Sequence, residues 1–153
     1  MPGFAYLALA VLILLLLPVV VMPWEGRRVP DALYVVLGAS GIVAAAIQDG
    51  AGGAVVSGLT GLAAFALVTA FVTFIRITLN LRILTGGHIK LLATGATWLG
   101  MLGTLAMIGI AFGALFAMAV LRNRQPAARR PDFTVIAALA IVCVGIQQVL
   151  PQM

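Results

Sequence analysis

Long apolar runs separated by short polar links make up most of this chain. The runs cover residues 4–22, 32–48, 54–75, 91–121 and 133–150. A transmembrane α-helix needs about 20 consecutive apolar residues. The pattern therefore predicts an all-α integral membrane protein, with residues 1–153 forming one polytopic domain.

The first run, residues 4–22, has two interpretations. A cleavable signal peptide would need a basic start and a small-residue cleavage site. Residues 1–3 hold no Lys or Arg, and Pro23, Trp24 and Glu25 follow the run. We therefore interpret the run as a membrane span.

The run 91–121 is too long for one span and too short for two full spans. If it crossed once, Lys and Arg residues would lie on both sides of the membrane. If it is a hairpin broken near residues 100–103, all nine Lys and Arg lie on one side. Basic residues collect in cytoplasmic loops, so the charge pattern favours the hairpin. The predicted spans are 4–22, 32–48, 54–75, the short 89–99, 103–121 and 133–150.

This topology of six transmembrane helices places both termini on the outer side. For a bacterial inner membrane, the N-terminus would be periplasmic. Composition supports the bilayer as the surrounding medium, because 63% of the residues are hydrophobic and only 8% are charged. A soluble domain is about half apolar and a quarter charged.

The net charge of +5 is explained by this topology and does not indicate a nucleic-acid partner. The chain has one cysteine, Cys143, so it cannot form an internal disulfide. It has no Cys-x-x-Cys pair and no His cluster, which makes a structural metal site improbable. We expect no metal and no cofactor.

Glycines inside the runs indicate close helix packing. Gly109 and Gly113 have the i, i+4 spacing that lets two helix backbones approach each other. This pair could pack inside the chain or form a face for another membrane protein, and the sequence leaves both interpretations open.

Charged side chains all lie at the ends of runs or in links. A charge inside a span would be costly and usually functional. Its absence argues against a proton pump, a voltage sensor or an ion-coupled transporter. Two links remain as candidate sites, residues 23–31 and 84–92. In the second link, two glycines permit a sharp turn just before a helix start.

Together, these links resemble a known family. The stretch 27–31, Arg-Arg-Val-Pro-Asp, is similar to the basic-basic-aliphatic-Pro-Asn/Asp stretch of type IV prepilin peptidases. The stretch 85–90, Thr-Gly-Gly-His-Ile-Lys, resembles their Gly-x-Gly-Asp-aliphatic-Lys loop, and residues 93–100 continue in the family's manner. Residues 130–133 have a weaker similarity to their Pro-Tyr-Gly segment. The motif-loop residues are Thr85, Gly86, Gly87, His88 and Lys90.

The resemblance covers nearly the whole chain, at the size of the short peptidases of Tad-type pilus systems. It implies a membrane aspartic protease fold, in which two Asp residues at cytoplasmic helix ends share the catalytic work. Pro23 and His88 stand at those two positions here, and the nearby carboxylate of Glu25 is displaced by two residues. The resemblance therefore implies a scaffold that has lost its catalytic pair.

Other roles for these side chains stay open. Glu25 could orient His88 as a general base in a different mechanism. Glu25, Asp31 and His88 could hold a metal, although their spacing is not characteristic of a metal site. The simplest interpretation of His88 is a residue at a helix N-terminus that is hydrogen-bonded locally.

Three functions follow from these observations. The first is a non-catalytic subunit that packs against another membrane protein or complex. The second is a working prepilin peptidase with variant residues, whose partner would be a prepilin. The third is a small transporter or channel subunit.

Overall fold

A computed structural model describes residues 2–79, 85–122 and 133–149, and these residues are all helical apart from the links. Of the residues that the charge and motif arguments use, Arg82, Arg124 and 129–132 lie outside the described ranges. The helices are α1 (Pro2–Trp24), α2 (Asp31–Leu79), α3 (Gly86–Arg122) and α4 (Phe133–Val149). The all-α prediction is confirmed.

The described residues form four helices where the sequence predicts six. The predicted spans 32–48 and 54–75 both lie in α2, and 89–99 and 103–121 both lie in α3. Each of these two helices contains a single residue with non-helical backbone angles. One glycine is enough for the change of direction, so no loop separates the two parts.

Helix α2 folds back on itself at Gly50, whose φ is 71° and ψ is −159°. Thr97 contacts both parts of the helix. Its hydroxyl donates to the carbonyl of Gly38 at 3.3 Å, and its carbonyl accepts from the Ser57 hydroxyl at 2.6 Å. In a straight helix, residues 38 and 57 would be roughly 28 Å apart. We call residues 31–49 and 51–79 the first and second arms of α2.

Helix α3 reverses in the same way at Gly100, whose φ is 64° and ψ is −176°. The Thr104 hydroxyl donates to the carbonyl of Ala96 at 3.4 Å. The Met107 sulfur lies 3.3 Å from the point where a Cβ on Gly95 would sit. Residues 95 and 107 would be roughly 18 Å apart in a straight helix. We call residues 86–99 and 101–122 the first and second arms of α3.

The core of the molecule is the first arm of α3, which lies between the two arms of α2 and against α4. Leu91, Leu92 and Ala96 on this arm are fully buried. Ile141 of α4 is buried beside Gly95, and its side chain would clash with any Cβ there. Helix α1 packs on α4 through Leu9 and Leu12, near Gly145.

The outer faces of the helices are apolar as well. Large side chains such as Leu7, Leu14, Leu62, Leu102 and Phe116 are more than half exposed. Within the described ranges, three helices are long and apolar enough to cross a membrane: Gly3–Pro23, Asp31–Phe74 and Gly86–Ala114. Helix α4 is also apolar but shorter. Helices that are apolar all round are compatible with a membrane location.

The two ends of the bundle differ. We call the end with Gly26, Thr85 and Phe133 the link end, because the links between helices start there. We call the end with Gly50 and Gly100 the reversal end.

Candidate functional site

The two candidate links meet at the link end through an ion pair. Lys90 Nζ lies 2.6 Å from Asp31 Oδ1. Asp31 is the first residue of α2, where a carboxylate interacts favourably with the helix dipole. Lys90 lies one turn into α3. Because both side chains are substantially exposed, the pair itself adds less than about 1 kcal/mol. The pair shows that the start of α3 lies beside the start of α2.

His88 caps the start of α3. Its Nδ1 accepts a hydrogen bond from the backbone N–H of Thr85 at 3.3 Å, while the backbone N–H of His88 donates to the carbonyl of Thr85 at 3.1 Å. The bond from the Thr85 N–H to the ring is one half of a capping box, with imidazole in place of the usual Glu or Gln side chain, and the second bond is an ordinary backbone turn. The other side of the ring faces α4, where the centroids of His88 and Phe133 are 4.9 Å apart.

The glycine before His88 allows a close approach between α3 and α2. A Cβ on Gly87 would lie 3.2 Å from the hydroxyl of Tyr34, which is a buried residue one turn after Asp31. Asp31 and Tyr34 thus present one face of α2 to the motif loop. The loop is held by contacts of its backbone, of His88 and of Lys90.

Helix α1 ends in a Schellman motif, which lies at the start of the first link. Gly26 has a φ of 72°, its N–H donates to the carbonyl of Pro23, and the N–H of Arg27 donates to the carbonyl of Met22. This geometry places Pro23 inside the last turn of α1. Glu25 is exposed and lies 3.9 Å from the guanidinium of Arg27.

Carboxylates do not pair with one another in the described part of the chain. Glu25 faces Arg27, Asp31 faces Lys90, and Asp49 lies at the opposite, reversal end. The described residues also contain no group of three or more His, Cys, Asp or Glu side chains that could hold a metal ion. Glu25, Asp31 and His88 therefore do not form the metal site considered above.

Gly109 and Gly113 differ from the glycines that form helix contacts. A Cβ on Gly41, Gly61 or Gly95 would clash with a side chain of another helix segment. At Gly109 and Gly113, nothing lies within 4 Å of the position that such a Cβ would occupy, so both glycines face open space. The packing of the second arm of α3 against α2 uses other residues, including the edge-to-face pair Phe71 and Phe112.

The reversal end holds a cavity of about 960 Å³ that sequence reasoning missed. It lies between α1, the two arms of α2 near their reversal, the end of the first arm of α3 and the end of α4. Asp49 is the charged residue among those that line it. The short length of the span predicted at 89–99 was the signal for it, because a short helix leaves space beyond its end.

No family model, curated protein or solved structure matches this chain. Its function has to be inferred from its own residues.

Proposed function

We propose that this protein is a non-catalytic, prepilin-peptidase-like subunit of a membrane assembly. The observation that carries the proposal is the role of His88, whose Nδ1 is already used to cap the helix that begins the motif loop. A second support is Asp31, a carboxylate beside the loop, which is neutralised by Lys90. Neither group is arranged as half of a carboxylate pair that shares a proton.

In this proposal, α1, α4 and the four arms of α2 and α3 cross or enter the inner membrane of a bacterium as six segments. The link end faces the cytoplasm, and both the N-terminus and the reversal end face the periplasm. Support comes from Arg27, Arg28, Arg76 and Lys90, which lie towards the link end, as the distribution of basic residues in membrane proteins requires.

Labelling of a cysteine at position 52 tests this orientation. Gly52 lies two residues beyond the α2 reversal, and a side chain there would meet no atom within 4 Å. In a Cys143→Ala background, we expect Gly52→Cys to react with an impermeant maleimide from the periplasmic side of the membrane. Labelling only from the cytoplasm would show that the proposed topology is inverted.

Leader cleavage tests the absence of catalysis. We expect no removal of the leader from a co-expressed prepilin in a host without its own peptidase, because Pro23 cannot ionise and His88 is a capping residue. Cleavage that is lost in His88→Ala would instead support the alternative Glu25/His88 mechanism.

We also expect weak cleavage from Pro23→Asp combined with His88→Asp, and none from either single variant, if the scaffold keeps the family geometry.

The open face of α3 is the proposed contact with the rest of the assembly. In a membrane, small residues at i and i+4 let a second helix pack closely. We expect Gly109→Leu with Gly113→Leu to reduce the amount of co-purified partner by about tenfold. Thermal stability should not fall, because leucine is a better helix former than glycine.

A matched control for this experiment is Ala66→Leu with Ala70→Leu. These alanines have the same spacing and are exposed on the second arm of α2. The partner should be retained in this variant. If both double variants retained the partner equally, or lost it equally, Gly109 and Gly113 would not form a specific contact face.

A further inference from the structure

The cavity at the reversal end arises from the length of one helix segment. The first arm of α3, residues 86–99, rises roughly 20 Å, which is less than the roughly 30 Å of a bilayer's hydrocarbon core. Beyond Leu99, no helix continues the arm in the same direction, because the chain reverses at Gly100. The cavity of about 960 Å³ lies at this place and is as large as the sites that hold small organic ligands.

The wall of the cavity suits an alkyl chain. Ala8, Leu9 and Leu12 of α1 face Ala44 and Ala45 of α2 across it. Three of the neutral polar side chains in the lining, Ser57, Trp98 and Gln148, are already bonded within the protein, and Gln48 lies beside Asp49. The Ser57 hydroxyl donates to the Thr97 carbonyl, the Trp98 indole to the Leu37 carbonyl at 2.8 Å, and the Gln148 amide to the Leu99 carbonyl at 2.7 Å.

The charged side chain in the cavity lining is negative. Asp49 lines the cavity, and its carboxylate has no ion-pair or hydrogen-bond partner among the described residues. The Lys and Arg side chains that the structure describes, Arg27, Arg28, Arg76 and Lys90, lie towards the opposite end.

We propose that this cavity binds an amphiphile, with its alkyl chain between α1 and α2 and its cationic amine head paired with Asp49. An anionic head would be repelled by the carboxylate. A bilayer lipid with an amine head and a free alkylamine share this chemistry. The site lies at the end of the bundle opposite to the motif loop, so it is independent of the function proposed above.

Quenching of Trp98 fluorescence tests the proposal directly, because Trp98 lines the cavity. In a Trp24→Phe background, Trp98 is the one remaining tryptophan. The full-length protein in a non-ionic maltoside detergent is titrated with a dodecyltrimethylammonium probe that carries bromine on its chain. We expect saturable quenching, and about fivefold weaker binding in Asp49→Asn. A brominated dodecyl sulfate probe should bind more weakly than the ammonium probe. It should also bind no more tightly to the protein with the native Asp49 than to Asp49→Asn.

Two alanines of α1 provide a matched control. Ala8 lines the cavity, whereas Ala10 is exposed on the outside of the helix. Ala8→Phe should abolish saturable quenching, and Ala10→Phe should leave it unchanged. If the ammonium and sulfate probes quench alike, or if Asp49→Asn and Ala8→Phe have no effect, the alkyl chains only partition onto the protein surface and the proposal is wrong.

A third probe identifies the source of the ligand. Phosphatidylethanolamine with brominated chains is added to the same micelles. Quenching that depends on Asp49 would assign the site to an amine-headed bilayer lipid. If only the single-chain ammonium probe shows this dependence, the site takes a free alkylamine.

Discussion

Replacing Gly41 with leucine should destabilise the protein by about 3 kcal/mol. The Cβ of any residue at position 41 would clash with the Thr97 hydroxyl and would lie 2.8 Å from Cδ1 of Trp98. Overpacking of this kind costs about 1–3 kcal/mol. The displaced indole would also lose its hydrogen bond to the carbonyl of Leu37, which is worth about 1 kcal/mol.

Unfolding in mixed micelles, followed by the loss of helical circular dichroism, measures this effect. Gly109→Leu is the matched control, since it makes the same substitution in a helix where nothing lies within 4 Å of the new Cβ. We expect Gly109→Leu to keep or slightly raise stability. If the two variants were equally stable, the first arm of α2 would not pack against α3 as closely as the structure has it.

The second large effect is expected at the two reversals. Gly50 and Gly100 have positive φ with ψ near 180°, a backbone region that is almost restricted to glycine. A non-glycine residue there costs about 1–3 kcal/mol. No neighbouring group lies within 4 Å of the point where a Cβ would sit on either glycine, so the cost is conformational and not steric. We expect Gly50→Ala and Gly100→Ala to lose about 2 kcal/mol each, and the double variant about 4 kcal/mol.

Gly52→Ala separates this effect from a general intolerance of change near the turn. Gly52 is helical, it is two residues from Gly50, and it also has open space around it. Alanine there should raise stability by about 0.5–1 kcal/mol, because it limits the unfolded chain. The same unfolding measurement applies to all of these variants. A loss in Gly52→Ala as large as in Gly50→Ala would show that the backbone angles at Gly50 are not the cause.

The sequence predicted the helical class because long apolar runs are a strong local signal. It predicted too many separate helices, because an apolar run with a glycine-containing break looks like two helices with a loop between them. In the structure, Gly50 and Gly100 each turn the chain within one residue. Local patterns indicate the position of such a break, but not the number of residues over which the chain reverses.

The packing environment of each glycine could not be predicted from the sequence. Gly38 and Gly41 pack against Thr94 and Thr97, whereas Gly109 and Gly113 face open space. In a soluble protein, polar residues would mark the outer face of a helix. Here the outer faces are apolar too, so the pattern cannot distinguish the inside from the outside.

The arrangement at the link end depended on contacts between residues far apart in the chain. Asp31 and Lys90 are separated by 59 positions, and their pairing follows from how α2 and α3 pack. The role of His88 was easier to predict, because its partner Thr85 is only three residues away. The short predicted span 89–99 indicated space beyond its end, but the walls of the cavity could not be predicted, because they depend on the position of α1 relative to α2 and α4.

The single-residue reversals also affect how the chain can enter a membrane. A hairpin inserts only if the segment between its helices is carried through the hydrocarbon, and a charged side chain near the centre of the bilayer costs roughly 2.5–3.5 kcal/mol. Around Gly50, Asp49 is the one charged side chain in residues 41–60, and residues 91–110, around Gly100, hold none. Each hairpin can therefore be inserted as a preformed unit, with at most one charge to transfer.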